Sequence, residues 1–443
     1  MDTKPISDTV PKRILNNLLS SLEAGVVPRS GAPYIAIGRT EEIASLLDNL
    51  DSVAEGSAGT RLIIGRYGSG KSFLMQLVRG YALDRDFLTA DADLSPERRL
   101  QGTKGQGLAT YKELMRNIST KTRPEGGALN LILDKWISTV QSEVIADGGE
   151  LGSPDFEKQV EKRIFEVVNS VSEMVHGFDF ARLLTLYYRA YKNGDDEIKG
   201  AVTKWFRGEY TTKTEARAEL GVGIIITDED WYEYIKLFAF FFKKAGYSGF
   251  IMMIDELVNI YKIPNAITRQ YNYEKILTMY NDTLQGKAQY LGIIMCGTPQ
   301  CIEDTRRGVY SYEALRSRLA EGKFSGDGHR DMLAPVIKLD PLSYEEMLVL
   351  TEKLSEIHAE LFGYTRKIKE EELVMFIKVE YGRIGADTHI TPREVIRDFI
   401  ELLDILYQNP DMTAEKMLSS GKFEYSKPQD EADTDDNFTE FEI

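Results

Sequence analysis

One short stretch constrains the fold of this chain more than any other. It reads Gly65-Arg66-Tyr67-Gly68-Ser69-Gly70-Lys71-Ser72 and fits the pattern G-x-x-x-x-G-K-[ST]. Residues 61–64 before it form a short, mostly apolar run typical of a buried strand, and residues 72–78 after it have the periodicity of a helix. A glycine-rich turn between a strand and a helix points backbone N–H groups at phosphate. The stretch therefore predicts a nucleotide-binding α/β fold with a parallel sheet.

The residue types in this stretch suit a nucleotide that carries a magnesium ion. Glycines let the backbone curl around phosphate oxygens, and Lys71 supplies a positive charge for the β- and γ-phosphates. The Ser72 hydroxyl is the expected ligand of Mg²⁺. The strand, loop and helix context argues against a chance match. We therefore predict ATP and Mg²⁺ as ligands, held by Gly65, Tyr67, Gly68, Ser69, Gly70, Lys71, Ser72 and Phe73.

A second motif lies at the end of an apolar run much later in the chain. Residues 249–254 predict a buried strand, and Asp255 and Glu256 follow it. Ligands of open α/β sheets bind at the carboxyl ends of the strands, where these two side chains would lie. We predict that Asp255 belongs to the Mg²⁺ shell, directly or through water. We predict that Glu256 orients and activates the attacking water.

Length and charge limit the classes of protein to which this chain can belong. Its 443 residues suggest two or three domains, and a net charge of −16 argues against a protein that coats nucleic acid by itself. DNA contact through a partner or a local basic groove stays open. Two cysteines are too few for a disulfide framework or a zinc site, which predicts a reducing, cytoplasmic setting. The first eleven residues lack the apolar core of a signal peptide, and no apolar run approaches the ~18 residues of a membrane span.

The order of strand and helix patterns divides the chain into four segments. Residues 1–33 are predicted to form an N-terminal helical segment, and residues 34–340 the nucleotide-binding core. A mostly helical pattern at about 111–247 predicts a large insertion between two strands of that core. Residues 341–423 predict a helical lid, which begins at Ser343 with Glu346 at the capping-box position. Residues 424–443 are rich in acidic residues and are predicted to be disordered.

The ordered set of these elements resembles the AAA+ ATPases of the initiator and loader type. Besides the two motifs, the resemblance rests on the turn Gly38-Arg39-Thr40-Glu41-Glu42-Ile43, which stands where those ATPases hold adenine. It implies roles for a polar residue after the next strand, for an arginine that reaches the γ-phosphate of a neighbouring subunit, and for an arginine in the lid. Thr298 is the candidate for the polar residue, called sensor 1, unless it only caps the next helix. Arg318 is the candidate for the arginine that acts on the neighbouring subunit, called the trans arginine, with Arg316 as the alternative. Arg393 is the candidate for the lid arginine, called sensor 2.

More narrowly, the chain resembles the BREX-system ATP-binding proteins, the BrxC/BrxD family of bacterial phage defence, and in size its BrxD members. The most specific runs are Gly25-Val26-Val27-Pro28-Arg29 and Trp205-Phe206-Arg207-Gly208-Glu209. The resemblance implies ATP hydrolysis that drives assembly or remodelling of a defence complex on DNA. It also implies a homo-oligomer, and partners such as a helicase or a methyltransferase. Two alternatives stay open: a nucleotide-gated assembly switch with little turnover, and an initiator-like ATPase that binds DNA directly.

Overall fold

Five strands form the central sheet of the protein. The computed structural model describes residues 10–29, 31–320, 322, 330–382 and 391–419, and the acidic tail predicted at 424–443 lies outside these ranges. Within them the strand order is β2-β3-β4-β1-β5, so β4 lies between β3 and β1. The strands are β1 Ala58–Ile64, β2 Leu88–Asp93, β3 Phe250–Asp255, β4 Leu291–Gly297 and β5 Val336–Lys338.

Eighteen α-helices precede, connect and follow these strands in the described part of the chain. Seven of them, α4 to α10, lie between β2 and β3, where the sequence predicts a helical insertion. The helices are α1 Lys12–Glu23, α2 Thr40–Ala54, α3 Lys71–Asp84, α4 Gln106–Arg116, α5 Leu129–Ala146, α6 Pro154–Ser172, α7 Gly177–Asn193, α8 Asp196–Phe206, α9 Lys213–Leu220, α10 Trp231–Lys244, α11 Val258–Tyr261, α12 Ala266–Leu284, α13 Pro299–Glu303, α14 Glu313–Leu319, α15 Tyr344–Phe362, α16 Glu370–Tyr381, α17 Pro392–Gln408 and α18 Ala414–Ser419.

The sheet is parallel, as the sequence predicts. Every residue of β3 and β4 is buried, which is what a parallel sheet covered on both faces requires. The register pairs Leu88 with Phe250 at one end of β2 and β3, and Asp93 with Asp255 at the other. The observed limits differ from the sequence-based ones at the start of β1, which begins three residues before Arg61. The predicted strand 249–254 is displaced by one residue, since β3 runs from Phe250 to Asp255. β2 pairs with β3 along the full length of both strands.

The chain divides into two compact units. The first, called the loop unit, comprises Met1–Ile43, Ile64–Leu77 and Lys338–Ile443. The second, called the sheet unit, comprises Ala44–Ile63 and Val78–Ile337. In the described ranges, no helix of either unit is long and apolar enough to span a membrane.

The loop unit has a core made by helices from both ends of the chain. The apolar face of α1, spaced by three and four residues, buries Leu15, Leu18 and Leu22 against α15 and α17. Helix α15 begins with the predicted capping box. The Ser343 N–H donates to the Glu346 carboxylate over 2.8 Å, and the Glu346 N–H donates to the Ser343 hydroxyl over 3.1 Å. The N-terminal helix therefore shares one core with the predicted lid helices.

The sheet unit contains an aromatic core within the helical region. Phe180 of α7 packs edge-on against Phe238 of α10, with ring centroids 4.8 Å apart, and lies 4.9 Å from Phe206 of α8. Such pairs each contribute about 0.5–1.5 kcal/mol beyond the area that they bury. All three tryptophans of the chain are also buried in this unit, at positions 136, 205 and 231.

A buried ion pair joins α10 to α12 inside the sheet unit. Lys236 Nζ lies 2.7 Å from Asp282 Oδ2 and 2.9 Å from Glu233 Oε1, and the side chains of Lys236 and Asp282 are 8% and 9% exposed. Removing one partner of such a pair leaves a charge in a poorly hydrated place. The ion pair therefore constrains the packing of the two helices more than a surface pair would.

We predict that Asp282→Ala lowers the free energy of unfolding of the sheet unit by about 3 kcal/mol, because Lys236 loses its most buried partner. Asp51→Ala is the matched control. It breaks the exposed Arg85–Asp51 pair, with an Nη1 to Oδ1 distance of 2.8 Å, and should cost less than about 1 kcal/mol. Urea denaturation followed by tryptophan fluorescence measures both. Equal losses of unfolding free energy in the two variants would contradict the stabilising role of the buried Lys236–Asp282 pair.

Candidate functional site

The glycine loop, residues 65–72, follows β1 and ends in the first turn of α3. Gly68 and Gly70 have φ angles of +75° and +93°, a backbone region that other residues rarely adopt. A Cβ atom at position 68 would lie 2.6 Å from the Thr391 hydroxyl oxygen, whereas a Cβ at position 70 would meet no atom within 4 Å. Gly68 therefore permits a close contact, and Gly70 faces open space in which a ligand can fit.

Lys71 closes the glycine loop onto itself. Its ammonium group donates to the carbonyl oxygens of Gly65 and Arg66, each over 2.8 Å. The hydroxyl of Ser69 is buried and has no hydrogen-bond partner within the part of the chain that the structure describes. Buried polar groups in proteins are usually hydrogen-bonded, so this hydroxyl is available to bond to a ligand at the loop. Ser72 is the second residue of α3, where backbone N–H groups have no acceptor within the helix.

The turn that was predicted to lie near adenine contacts the glycine loop through Arg39. This residue is 6% exposed. Its Nη2 donates to the carbonyl oxygens of Ser69 over 3.1 Å and of Asp340 over 2.9 Å. Its Nη1 lies 3.4 Å from a carboxylate oxygen of Glu42. Gly38 precedes it with a φ of +71°. The guanidinium is thus committed to partners inside the loop unit.

Two predicted site residues that are 326 positions apart meet at the loop. Arg393 Nη1 donates to the Tyr67 hydroxyl over 3.1 Å, and the Arg393 guanidinium carbon lies 5.1 Å from the centre of the Tyr67 ring. Helix α17 begins at Pro392, and the Thr391 N–H donates to Glu394 over 2.9 Å at the start of the helix. Helix α17 therefore presents an arginine to the glycine loop within the loop unit.

Phe73, also predicted to lie at the nucleotide, has a different environment. It is partly buried and packs against the apolar core of the loop unit. The structure thus gives this side chain a packing role that anchors the first turn of α3.

In the sheet unit, Asp255 and Glu256 stand at the carboxyl end of β3. Asp255 is the last residue of the strand and is 7% exposed, whereas Glu256 is exposed. Glu256 has a φ of +61°, which is uncommon for a residue with a side chain and costs about 1–3 kcal/mol. Its N–H donates to Asp255 Oδ1 over 2.7 Å, which helps to hold this conformation. Strained backbone of this kind concentrates at functional sites.

Asp93 is a neighbour of this pair that sequence reasoning missed. It is the last residue of β2 and is in register with Asp255 on the adjacent strand. Loss of hydration, followed by the carboxylates of Asp255 and Asp91, raises the pKa of Asp93. The alternation Asp91-Ala92-Asp93 after an apolar run was the available signal. The carboxyl ends of β2 and β3 therefore form an acidic edge.

Thr298 follows β4, the strand between β3 and β1 in the sheet order. Its hydroxyl accepts a hydrogen bond from the Cys301 N–H over 3.3 Å and caps α13. The capping role, one of the two alternatives from the sequence, is thus present. The strand order also puts Thr298 at the carboxyl end of the strand next to β3, where a sensor 1 residue is expected.

Both candidate trans arginines are exposed on α14. Arg318 donates from Nε to Asn281 Oδ1 over 3.1 Å and from Nη1 to the Ala314 carbonyl oxygen over 2.7 Å. Arg316 pairs with Glu313 of the same helix, with an Nη2 to Oε2 distance of 2.7 Å. Among the described residues, Arg318 thus bonds to the neighbouring helix α12 as well as to its own helix, whereas Arg316 bonds to its own helix.

A family model described as BREX system ATP-binding protein BrxC/D matches residues 10–422. The chain belongs to this family. The match spans the glycine loop, the acidic pair and α17, so the resemblance to the BREX-system ATP-binding proteins is confirmed. No curated protein matches the chain. The family description supports ATP as the ligand and suggests a role in a BREX defence system.

We predict that Arg393→Ala weakens ATP binding about tenfold, because a charged donor at the glycine loop is lost. Arg397→Ala is the matched control, since Arg397 lies one turn further along α17 and is exposed. Fluorescence titration with an ATP analogue measures both affinities. An unchanged affinity in Arg393→Ala would show that the arginine serves only to contact Tyr67.

Proposed function

We propose that this protein is a Mg²⁺-dependent ATPase of the AAA+ P-loop class that acts in a BREX-like anti-phage system. Its ATP cycle drives assembly or remodelling of a defence complex on DNA. The observation that carries the proposal is the construction of the glycine loop: Lys71 and Arg393 bring two cations to it, and Gly70 faces open space. The family description supports the identity of the nucleotide.

In this proposal the loop unit binds the nucleotide. Lys71 exchanges its carbonyl partners for phosphate oxygens, to which an ammonium group binds more strongly because they are charged. The Ser69 hydroxyl, which has no hydrogen-bond partner in the described ranges, donates to phosphate as well. Arg393 reaches the γ-phosphate from the first turn of α17. Tyr67 then serves as the resting partner of that arginine.

The proposed metal ligands are the Ser72 hydroxyl and the Asp255 carboxylate. Both supply oxygen atoms, which Mg²⁺ prefers. In the parts of the chain that the structure describes, no group of three or more His, Cys, Asp or Glu residues could hold a metal ion. This fits Mg²⁺, which is usually bound by one or two protein side chains together with substrate phosphates. The bound ion would neutralise phosphate charge during transfer.

Glu256 is the proposed general base. It is exposed, so its carboxylate can reach water, and the hydrogen bond from its N–H to Asp255 Oδ1 holds its backbone in the positive-φ conformation. It accepts a proton from the attacking water while the phosphate leaves ADP. Thr298, at the end of the adjacent strand, would orient the same water through its hydroxyl.

The proposal includes a homo-oligomer in which Arg318 completes the site of a neighbouring copy. For that role Arg318 must exchange Asn281 and Ala314 for a phosphate group. A helicase or methyltransferase of the same defence system is the proposed further partner, and the acidic net charge favours DNA contact through such partners. Sedimentation with and without ATP distinguishes an oligomer from a monomeric switch.

The decisive comparison is between Lys71→Ala and Glu256→Gln. Lys71→Ala should abolish detectable ATP binding, because the phosphates lose their ammonium partner. Glu256→Gln should bind ATP as the wild type does but release phosphate about 10²–10⁴-fold more slowly, because the general base is lost. Nucleotide titration and a phosphate-release assay measure the two effects.

Glu55→Gln, an exposed glutamate of the sheet unit, is the charge-matched control and should leave both quantities unchanged. If Glu256→Gln hydrolyses ATP at the wild-type rate, Glu256 is not the base. If the wild type binds ATP but shows no turnover in any assembly state, the nucleotide-gated switch is the better account.

A further inference from the structure

Arg39 contacts the glycine loop at a peptide that matters for anion binding. Its Nη2 donates to the carbonyl oxygen of Ser69. In a planar trans peptide the carbonyl and the following N–H point in opposite directions, and no described peptide bond is cis. The Gly70 N–H is therefore directed away from Arg39. In the described part of the chain, this N–H donates no backbone hydrogen bond.

The same guanidinium binds two other groups of the loop unit. Nη2 also donates to the Asp340 carbonyl, just before the lid helices, and Nη1 lies near the buried carboxylate of Glu42. A planar guanidinium group with several N–H donors can bond to two carbonyl oxygens and a carboxylate at once, whereas the single ammonium group of a lysine cannot match that geometry. Arg39 is 6% exposed, so its guanidinium would become an unpaired buried charge if it left these partners.

We infer that Arg39 is a positioning residue, which orients the Ser69–Gly70 peptide so that its N–H faces the phosphates. This inference rests on the proposed function, because it concerns the same nucleotide site. It differs from the sequence-based expectation of a residue beside adenine. Arg39 affects phosphate binding through the loop, and it has no effect on binding of the base. Its loss should therefore weaken every ligand that carries the phosphate chain, whether or not the ligand has a base.

The test compares ATP with inorganic tripolyphosphate, which lacks both ribose and adenine. Each competes with a fluorescent ATP analogue for the full-length protein at one fixed Mg²⁺ concentration. Arg39→Met should lose about 10- to 100-fold in affinity, by the same factor for both ligands. Arg39→Lys, which can reach one carbonyl oxygen, should show a smaller loss that is again equal for the two.

A control variant isolates the contact. Arg29→Met removes an exposed arginine of the same unit and should bind tripolyphosphate nearly as the wild type does. If Arg39→Met does not fold, which circular dichroism reveals, the comparison of Arg39→Lys with Arg29→Met carries the test.

The possible failures are distinct. Loss of ATP affinity with unchanged tripolyphosphate affinity would overturn the inference and place Arg39 at the base. Wild-type affinity for both ligands in a folded Arg39→Lys variant would overturn it too. A wild-type protein that binds neither ATP nor tripolyphosphate would contradict the proposed function itself, before any variant is compared.

Discussion

The nucleotide chemistry proposed for this protein depends on how the carbonyl oxygens of the glycine loop are occupied. A loop that offers its N–H groups to an anion must find donors for its carbonyls. Lys71 serves Gly65 and Arg66, and Arg39 serves Ser69. The two cations differ in how easily they can change partners. Lys71 is a flexible donor, whereas Arg39 is buried and bonds to Ser69, Asp340 and Glu42. Lys71 is thus suited to move to a bound phosphate, and Arg39 is suited to hold the loop in place.

The sheet imposes a second constraint, through its strand order. The strand that leads into the glycine loop and the strand that carries Asp255 are separated by β4 alone. Carboxyl ends of parallel strands share one edge of a sheet, so the order brings Asp93, Asp255 and Glu256 to an edge that already favours ligands. Loss of hydration, together with the neighbouring carboxylates of Asp255 and Asp91, raises the pKa of Asp93. A cation at this edge would lessen the repulsion between these carboxylates.

The sequence predicted the local features of this arrangement well. The apolar run of β3 identified that strand to within a residue, because a fully buried strand has a continuous apolar signature. The capping box at Ser343 was visible because it depends on residues three positions apart. What the sequence could not supply were contacts between distant residues. No sequence pattern marks the contacts of Arg393 with Tyr67, of Arg39 with Ser69 and of Asp93 with Asp255. The positive φ angle of Glu256 has no sequence pattern either.

The central claim is that the glycine loop holds the phosphates of ATP through an exchange of partners by Lys71. A crystal structure with Mg²⁺ and a non-hydrolysable ATP analogue tests it most directly. The account predicts phosphate oxygens on the N–H groups of residues 68–72. It also predicts that the Lys71 ammonium has moved from the Gly65 and Arg66 carbonyls to phosphate, while Arg39 still donates to Ser69. A nucleotide bound elsewhere, or a Lys71 that keeps both carbonyls with the nucleotide present, would contradict it.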